Sequence, residues 1–135
     1  MSTKVLDTWA IMAILKGEAA GDQVERLFQK ANDGKVGLLL CVVNWGEVYY
    51  GIARAGGEKV AEESAAQLAR LPIDLAPVGD DLHLAREAAK MKAKYRMSYA
   101  DCFAAALAKI KNAELVTGDP EFREVERDIR IHWLR

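Results

Sequence analysis

The sequence predicts an α/β protein, a three-layer α/β/α sandwich with a mainly parallel sheet of about five strands. Two observations carry that expectation. Short β-like runs alternate along the chain with longer segments of helical periodicity, which is the pattern of strands joined by crossover helices. Runs such as Val36–Cys41 are apolar throughout, as strands covered on both faces must be. The 135 residues, 51% hydrophobic and 29% charged, suit one domain spanning 1–135 with a single core, and exclude a disordered chain.

Element by element, Lys4 to Leu6 forms a first short strand and Thr8 to about Leu15 a helix. Asp22 to Ala31 is amphipathic, with Val24, Leu27 and Phe28 on one face. After the strand Val36–Cys41, a helix from Val43 to Ala55 stops at Gly56-Gly57, a strong breaker pair. Glu58 to Leu71 is helical and ends at Pro72, and Ile73 to Leu75 is a minimal third strand. Asp80 to Tyr95 and Ser98 to Lys111 are the next helices. Glu114 to Thr117 and Ile129 to Trp133 supply the last two strands, with a short helix from Pro120 between them. In such sheets ligands bind beyond the carboxyl ends of the strands, where connections diverge.

Charge and composition narrow the function classes. A net charge of −1 excludes a polycation that coats nucleic acid. The segment from Arg86 to Arg96 is nonetheless basic, with Lys90, Lys92 and Lys94 opposed only by Glu87; it reads either as a solvated helix face or as a local phosphate contact. No apolar run approaches the ~18 residues of a membrane span, and Asp7 interrupts the only signal-like start, so a cytoplasmic location is expected. Cys41 and Cys102 are far apart in apolar surroundings and read as small core residues. His83 and His132 are isolated.

Chemistry gathers on four acids. Asp7 directly follows the first strand and begins a helix, so it is either a helix cap or a crevice residue. Asp119 repeats that arrangement after the fourth strand, ahead of Pro120. Asp101 lies in Ser98–Ala108, where no other charged residue occurs. Tyr99, Cys102, Phe103, Ala106 and Ile110 share one face there, and Asp101 faces alanines. That helix is expected to be packed on both sides, holding a carboxylate in a partly enclosed place, with Ser98 as its cap. Glu47 is the one acid between Val43 and Ala55; it either pairs with Arg54 or belongs with the other three. Convergence of four acids on one rim would be unfavourable without a cation. Carboxylates with hydroxyls nearby favour Mg²⁺ or Mn²⁺ over zinc, and Thr8, Ser98 and Thr117 stand beside three of the acids.

Val5-Leu6-Asp7-Thr8, Asn44-Trp45-Gly46-Glu47-Val48, Ser98-Tyr99-Ala100-Asp101-Cys102 and Leu115-Val116-Thr117-Gly118-Asp119 resemble the four motifs of PIN-domain nucleases. The resemblance runs from residue 4 to residue 133, and the short chain is most similar to VapC-type toxins of toxin–antitoxin pairs. It implies a PIN-like fold, a Mg²⁺- or Mn²⁺-dependent endoribonuclease, and a cognate antitoxin encoded beside it. It also implies a homodimer, and a catalytic set of Asp7, Glu47, Asp101 and Asp119 with Thr117 as associated hydroxyl. Asp7 and Asp101 would be the most direct metal ligands, Asp119 would complete the shell directly or through water, and Glu47 would hold the attacking water. Lys94, Arg96 and Arg54 are candidate RNA contacts. Trp9 departs from the family, which more often has a small polar residue there. Of the large aromatics Trp9, Trp45, Tyr49 and Tyr50, one or two are expected to be exposed where an antitoxin helix docks. A covalent-aspartate phosphatase would need an acid at position 9, and a receiver domain adjacent acids early in the chain; neither pattern occurs. A noncatalytic binding module keeping the fold is the alternative.

Overall fold

A computed structural model describes residues 2–135. Its strands are β1 (Ser2–Leu6), β2 (Val36–Cys41), β3 (Asp74–Ala76), β4 (Glu114–Thr117) and β5 (Ile131–Trp133). The helices are α1 (Thr8–Leu15), α2 (Gly21–Asn32), α3 (Val42–Gly56), α4 (Glu58–Ala69), α5 (His83–Lys94) and α6 (Tyr99–Lys111), with a 3₁₀ helix at Pro120–Val125. All the strands are parallel, in the order β3-β2-β1-β4-β5. The predicted α/β/α sandwich is the observed fold.

The sheet separates two apolar clusters. Val5 and Leu115 join Phe103, Leu107, Met91 and Phe122 beneath α5 and α6. Leu6, Leu40 and Val116 point the other way, into Ile11, Val24, Phe28, Val48 and Leu68. Alternation of consecutive residues between two buried faces explains why these strands read as continuous apolar runs.

Several boundaries differ from the sequence expectation for identifiable reasons. Helix α5 starts at His83 rather than Asp80, because Leu82 adopts a left-handed φ of 63° and the Asp81 carboxylate accepts from the His83 N–H at 3.1 Å. β3 sits one residue later than expected and β5 is shorter at its start. The helix after Pro120 is 3₁₀, in which Phe122 and Val125, three apart, are both buried. Tyr99 was expected in the core and is instead 47% exposed, its ring lying 4.9 Å from that of Phe103.

The connection that matters most is the crossing from β3 through α5 and α6 to β4. The chain first builds outward from β1 to β2 and β3, then returns to place β4 on the opposite side of β1. The order therefore reverses between β1 and β4, and the segments leaving these neighbours diverge into a crevice.

Candidate active site

Asp7 and Asp119 leave the sheet at that reversal. Asp7 is fully buried and caps α1: one carboxylate oxygen accepts the Ala10 N–H at 2.8 Å, and the other accepts the Thr117 hydroxyl at 2.5 Å. The Thr117 Oγ1 in turn accepts the Asp119 N–H at 3.0 Å, so one threonine ties together the ends of both strands. The Asp119 side chain caps the 3₁₀ helix, accepting from the Glu121 N–H at 3.0 Å. Cap and crevice residue thus coincide in both aspartates, because a strand leading straight into a helix puts the helix N-cap at the sheet edge.

Asp101 arrives from the opposite layer. Ser98 caps α6 by accepting the Asp101 N–H at 3.1 Å, and the helix is buried from Asp101 through Ala108. That run of small residues lets α6 press closely on the sheet, carrying a carboxylate that is 8% exposed into the crevice. Among the described residues, the acids whose carboxylate oxygens lie within 4.8 Å of one another are Asp101, Asp119 and Glu121. Glu121 was missed in the sequence. The available signal was Asp119-Pro120-Glu121, where a helix start turns two acids to one side, but a first-turn acid is also ordinary helix chemistry.

The electrostatics follow from this enclosure. Burial pushes the Asp7 carboxyl up from 3.8 to about 7, against its two hydrogen bonds and with further help from Asp101 and Asp119. Burial also raises Asp101 to about 7, with the charges of Asp119, Glu47 and Glu121 adding to it. Two carboxyl groups that hold protons near neutrality, in mutual range, form an environment that disfavours anions.

Glu47 reaches the same region from α3. It is half-buried and accepts from the Tyr50 hydroxyl at 3.4 Å. The expected alternative pairing with Arg54 does not form: Arg54 is exposed, and its guanidinium lies 4.9 Å from the Tyr50 ring centre. The hydrogen bond of the Thr8 hydroxyl is with Asn44, not with an acid: its Oγ1 accepts from Asn44 Nδ2 at 3.2 Å. Asn44 was missed by sequence reasoning. It is fully buried and also donates to the Ala100 carbonyl at 3.1 Å, joining the starts of α1, α3 and α6, the three helices that carry Asp7, Glu47 and Asp101.

Trp9, the departure noted above, lies on the backbone of Gly118. A Cβ built at Gly118 would fall 2.4 Å from the indole, so the bulky ring and the absent side chain are fitted to each other. Lys94, the last residue of α5, and Arg96, in the connection that leads into α6, are both exposed, with the Lys94 ammonium 5.2 Å from the Tyr95 ring centre. Lys92 is committed structurally, donating to the Met97 carbonyl at 2.8 Å. His132 lies beside Lys4, its Nδ1 3.4 Å from the ammonium, on β5 opposite Val116.

A family model described as "PIN domain" matches residues 4–128. Among curated proteins no relative matches the chain. Among solved structures, VapBC2 from Rickettsia felis, bound to a DNA fragment from its promoter, superposes with a TM-score of 0.75 at 14% identity, covering 98% of this chain and 99% of that one. DNA-bound VapBC from Salmonella typhimurium gives 0.73 at 18% identity, covering 98% of each chain. The Mycobacterium tuberculosis toxin VapC20, which cleaves the sarcin–ricin loop, gives 0.68 at 19% identity, covering 90% and 94%. Structural likeness at such identities establishes the fold.

Proposed function

The chain belongs to the PIN-domain family, and on that premise we propose that it is a metal-dependent endoribonuclease acting as the toxin of a toxin–antitoxin pair. The observation that carries this reading is the gathering of Asp101, Asp119 and Glu121 at the sheet reversal, within charge range of the buried Asp7, where burial pushes both Asp7 and Asp101 up to about 7. Such a cluster is unfavourable as bare anions, and the charge of Glu47, reaching in from α3, adds to that on Asp101. The donor set is entirely oxygen, without histidine or cysteine, which fits a hard cation such as Mg²⁺ or Mn²⁺.

Asp101 and Asp119, with Asp7 behind them, would hold the ion; Glu121 joins them as a ligand or as a water-orienting acid. Held by these residues, a divalent ion would supply Lewis acidity to an attacking water and positive charge opposite the phosphodiester. The chain's own contribution is positional. Thr117 fixes one oxygen of Asp7 and the backbone of Asp119, Ser98 fixes the start of α6, and Glu47, steadied by Tyr50, orients a water and receives its proton. Lys94 and Arg96 contact phosphates of the bound strand, with Arg54 a more distant contact two turns beyond Glu47.

The antitoxin part of the proposal is supported by the VapBC neighbours and by an open groove of about 340 Å³ between α1, α3 and α4. Met12, Leu15, Ile52 and the 43% exposed Val60 line it, a surface suited to an apolar helix face. Of the aromatics expected near a partner, Tyr50 is 48% exposed, while Trp9, Trp45 and Tyr49 are half-buried. Trp45 and Tyr49 instead stack on each other with ring centres 5.5 Å apart. Homodimerisation belongs to the same proposal and is checked by light scattering.

RNA cleavage by the purified protein with Mg²⁺, Mn²⁺ or EDTA, beside Asp7→Asn and Asp101→Asn, tests the reading. Metal-dependent cutting abolished by both substitutions supports it. Cutting that survives them refutes the assignment of the site, and absence of both cutting and Mn²⁺ binding leaves a noncatalytic binding module.

A further inference from the structure

We propose that a second cleft beside the carboxylates, lined by Trp133 and Arg123, is a stacking subsite for a nucleotide of single-stranded RNA adjacent to the scissile bond. The inference rests on the ribonuclease reading above and adds a substrate contact that the acids do not supply.

Strand register places the cleft. Leu6 is paired with Val116, and Thr117 with Trp133, so Asp7, Thr117 and Trp133 are successive members of one row across β1, β4 and β5. The first two are joined directly by the Thr117 hydroxyl, and the Leu134 N–H donates to the Thr117 carbonyl at 2.8 Å, which fixes the end of β5 against β4. Two inter-strand steps put the Trp133 backbone roughly 10 Å from that of Asp7. A strand with its phosphate at the carboxylates therefore brings a neighbouring base to the indole.

The chemistry of the cleft matches that occupant. It is an open concavity of about 320 Å³ whose rim includes Gly118 and Pro120, the two residues flanking Asp119. Trp133 is half-buried: it packs against the core beneath α6 on one side and lines the cleft on the other, which holds the ring still while leaving part of it accessible. Base–aromatic stacking needs this arrangement and tolerates any base. Arg123 and Arg135 also line the cleft, and neither makes an ion pair among the described residues. Only Glu126 opposes them in the lining. Next to a cluster of acids that repels phosphate, guanidinium groups on the outer side give the backbone a place to run.

The test measures binding separately from cleavage. A fluorescein-labelled, mixed-sequence 12-nucleotide RNA is titrated with the full chain in EDTA and followed by anisotropy, with the same sequence as a duplex for comparison. Trp133→Ala should weaken single-strand binding roughly 5- to 100-fold, and Trp133→Phe should restore most of it, since a smaller aromatic still stacks. Arg123→Ala should weaken binding and reduce the salt slope by about 1. With Mn²⁺ present, the loss in both variants should fall on KM more than on kcat. Trp133→Phe and Arg123→Ala keep the test valid if Trp133→Ala folds poorly. A wild type that cuts RNA while all three variants bind as it does overturns the cleft and leaves the nuclease standing. A wild type that binds through Trp133 but cuts RNA with neither Mg²⁺ nor Mn²⁺ supports the cleft and overturns the nuclease. Failure of the wild type to bind the single strand, or a preference for the duplex, overturns the cleft.

Discussion

Asp101→Asn should make the metal-free protein more stable, and by an amount that depends on pH. The folded carboxyl keeps its proton up to about 7, whereas in the unfolded chain it ionises near 3.8. Stability associated with this group is therefore complete below about pH 3.8 and is lost as pH rises through 7. At pH 8 the penalty amounts to about 4 kcal/mol, and at pH 5 to under 2 kcal/mol. Asn cannot ionise, and at 8% exposure the side chain has little solvent to screen it. The fixed effects of replacing an oxygen by an NH₂ cancel between the two conditions, leaving a difference of about 3 kcal/mol. For a chain of this length that corresponds to roughly 10 °C in the gap between variant and wild-type Tm. Thermal unfolding followed by circular dichroism in EDTA at pH 5 and pH 8 measures it. An equal gap at the two pH values, or a variant less stable than wild type at pH 8, would refute the claim that Asp101 is held as a destabilised acid.

Thr117→Val keeps the shape of the side chain but removes the hydroxyl that Asp7 accepts, and should cost about 1–3 kcal/mol in urea unfolding at pH 8. Gly118→Ala should destabilise by about 1–3 kcal/mol through overpacking against Trp9, and Trp9→Ala should remove most of that cost in a double-mutant cycle. Additive effects of the two would show that the ring is not pressed on the glycine. Asn44→Ala should lose about 1–3 kcal/mol and at least tenfold in kcat, because three acid-bearing helices share its side chain; unchanged chemical denaturation would remove Asn44 from that role.

What the sequence revealed and what it hid have a common cause. Strand β2 is an unbroken apolar run, and the apolar pairs Val5-Leu6 and Leu115-Val116 lead within a few residues to the helix caps Asp7 and Asp119, so fold class and the exit points of those two acids are local information. The enclosure of Asp101 was also legible, since eight consecutive buried residues contain no other charge. Contacts that depend on how segments turn in space were not. Glu121 reaches the other acids only because the chain tightens into a 3₁₀ helix after Pro120. Arg54 shares a helix face with Glu47 but lies two turns on, and the intervening Tyr50 takes both, bonding one and stacking beneath the other. Asn44 looked like one polar residue in a motif, and its significance lies in two partners, 36 and 56 residues away. Trp133 belongs to no motif; strand register alone puts it level with Thr117.

The same geometry sets stability and function against each other. An apolar interior on both faces of the sheet supplies the folding free energy, and it is also what strips solvent from Asp7 and Asp101. Relocating the acids to the surface would relieve the fold and remove the repulsion that the proposed cation would offset. Their local cost is tolerated because Thr117, Ser98 and Asn44 anchor the backbones that carry them, leaving few arrangements in which the acids can move apart. A cation that binds the folded state alone stabilises it by RT ln(1 + [M]/Kd). On the proposed reading, the stability gained on adding Mn²⁺ at pH 8 should agree with the affinity measured directly, and both should shrink in Asp101→Asn, which removes a proposed ligand and part of the repulsion; no stabilisation by Mn²⁺ would refute it.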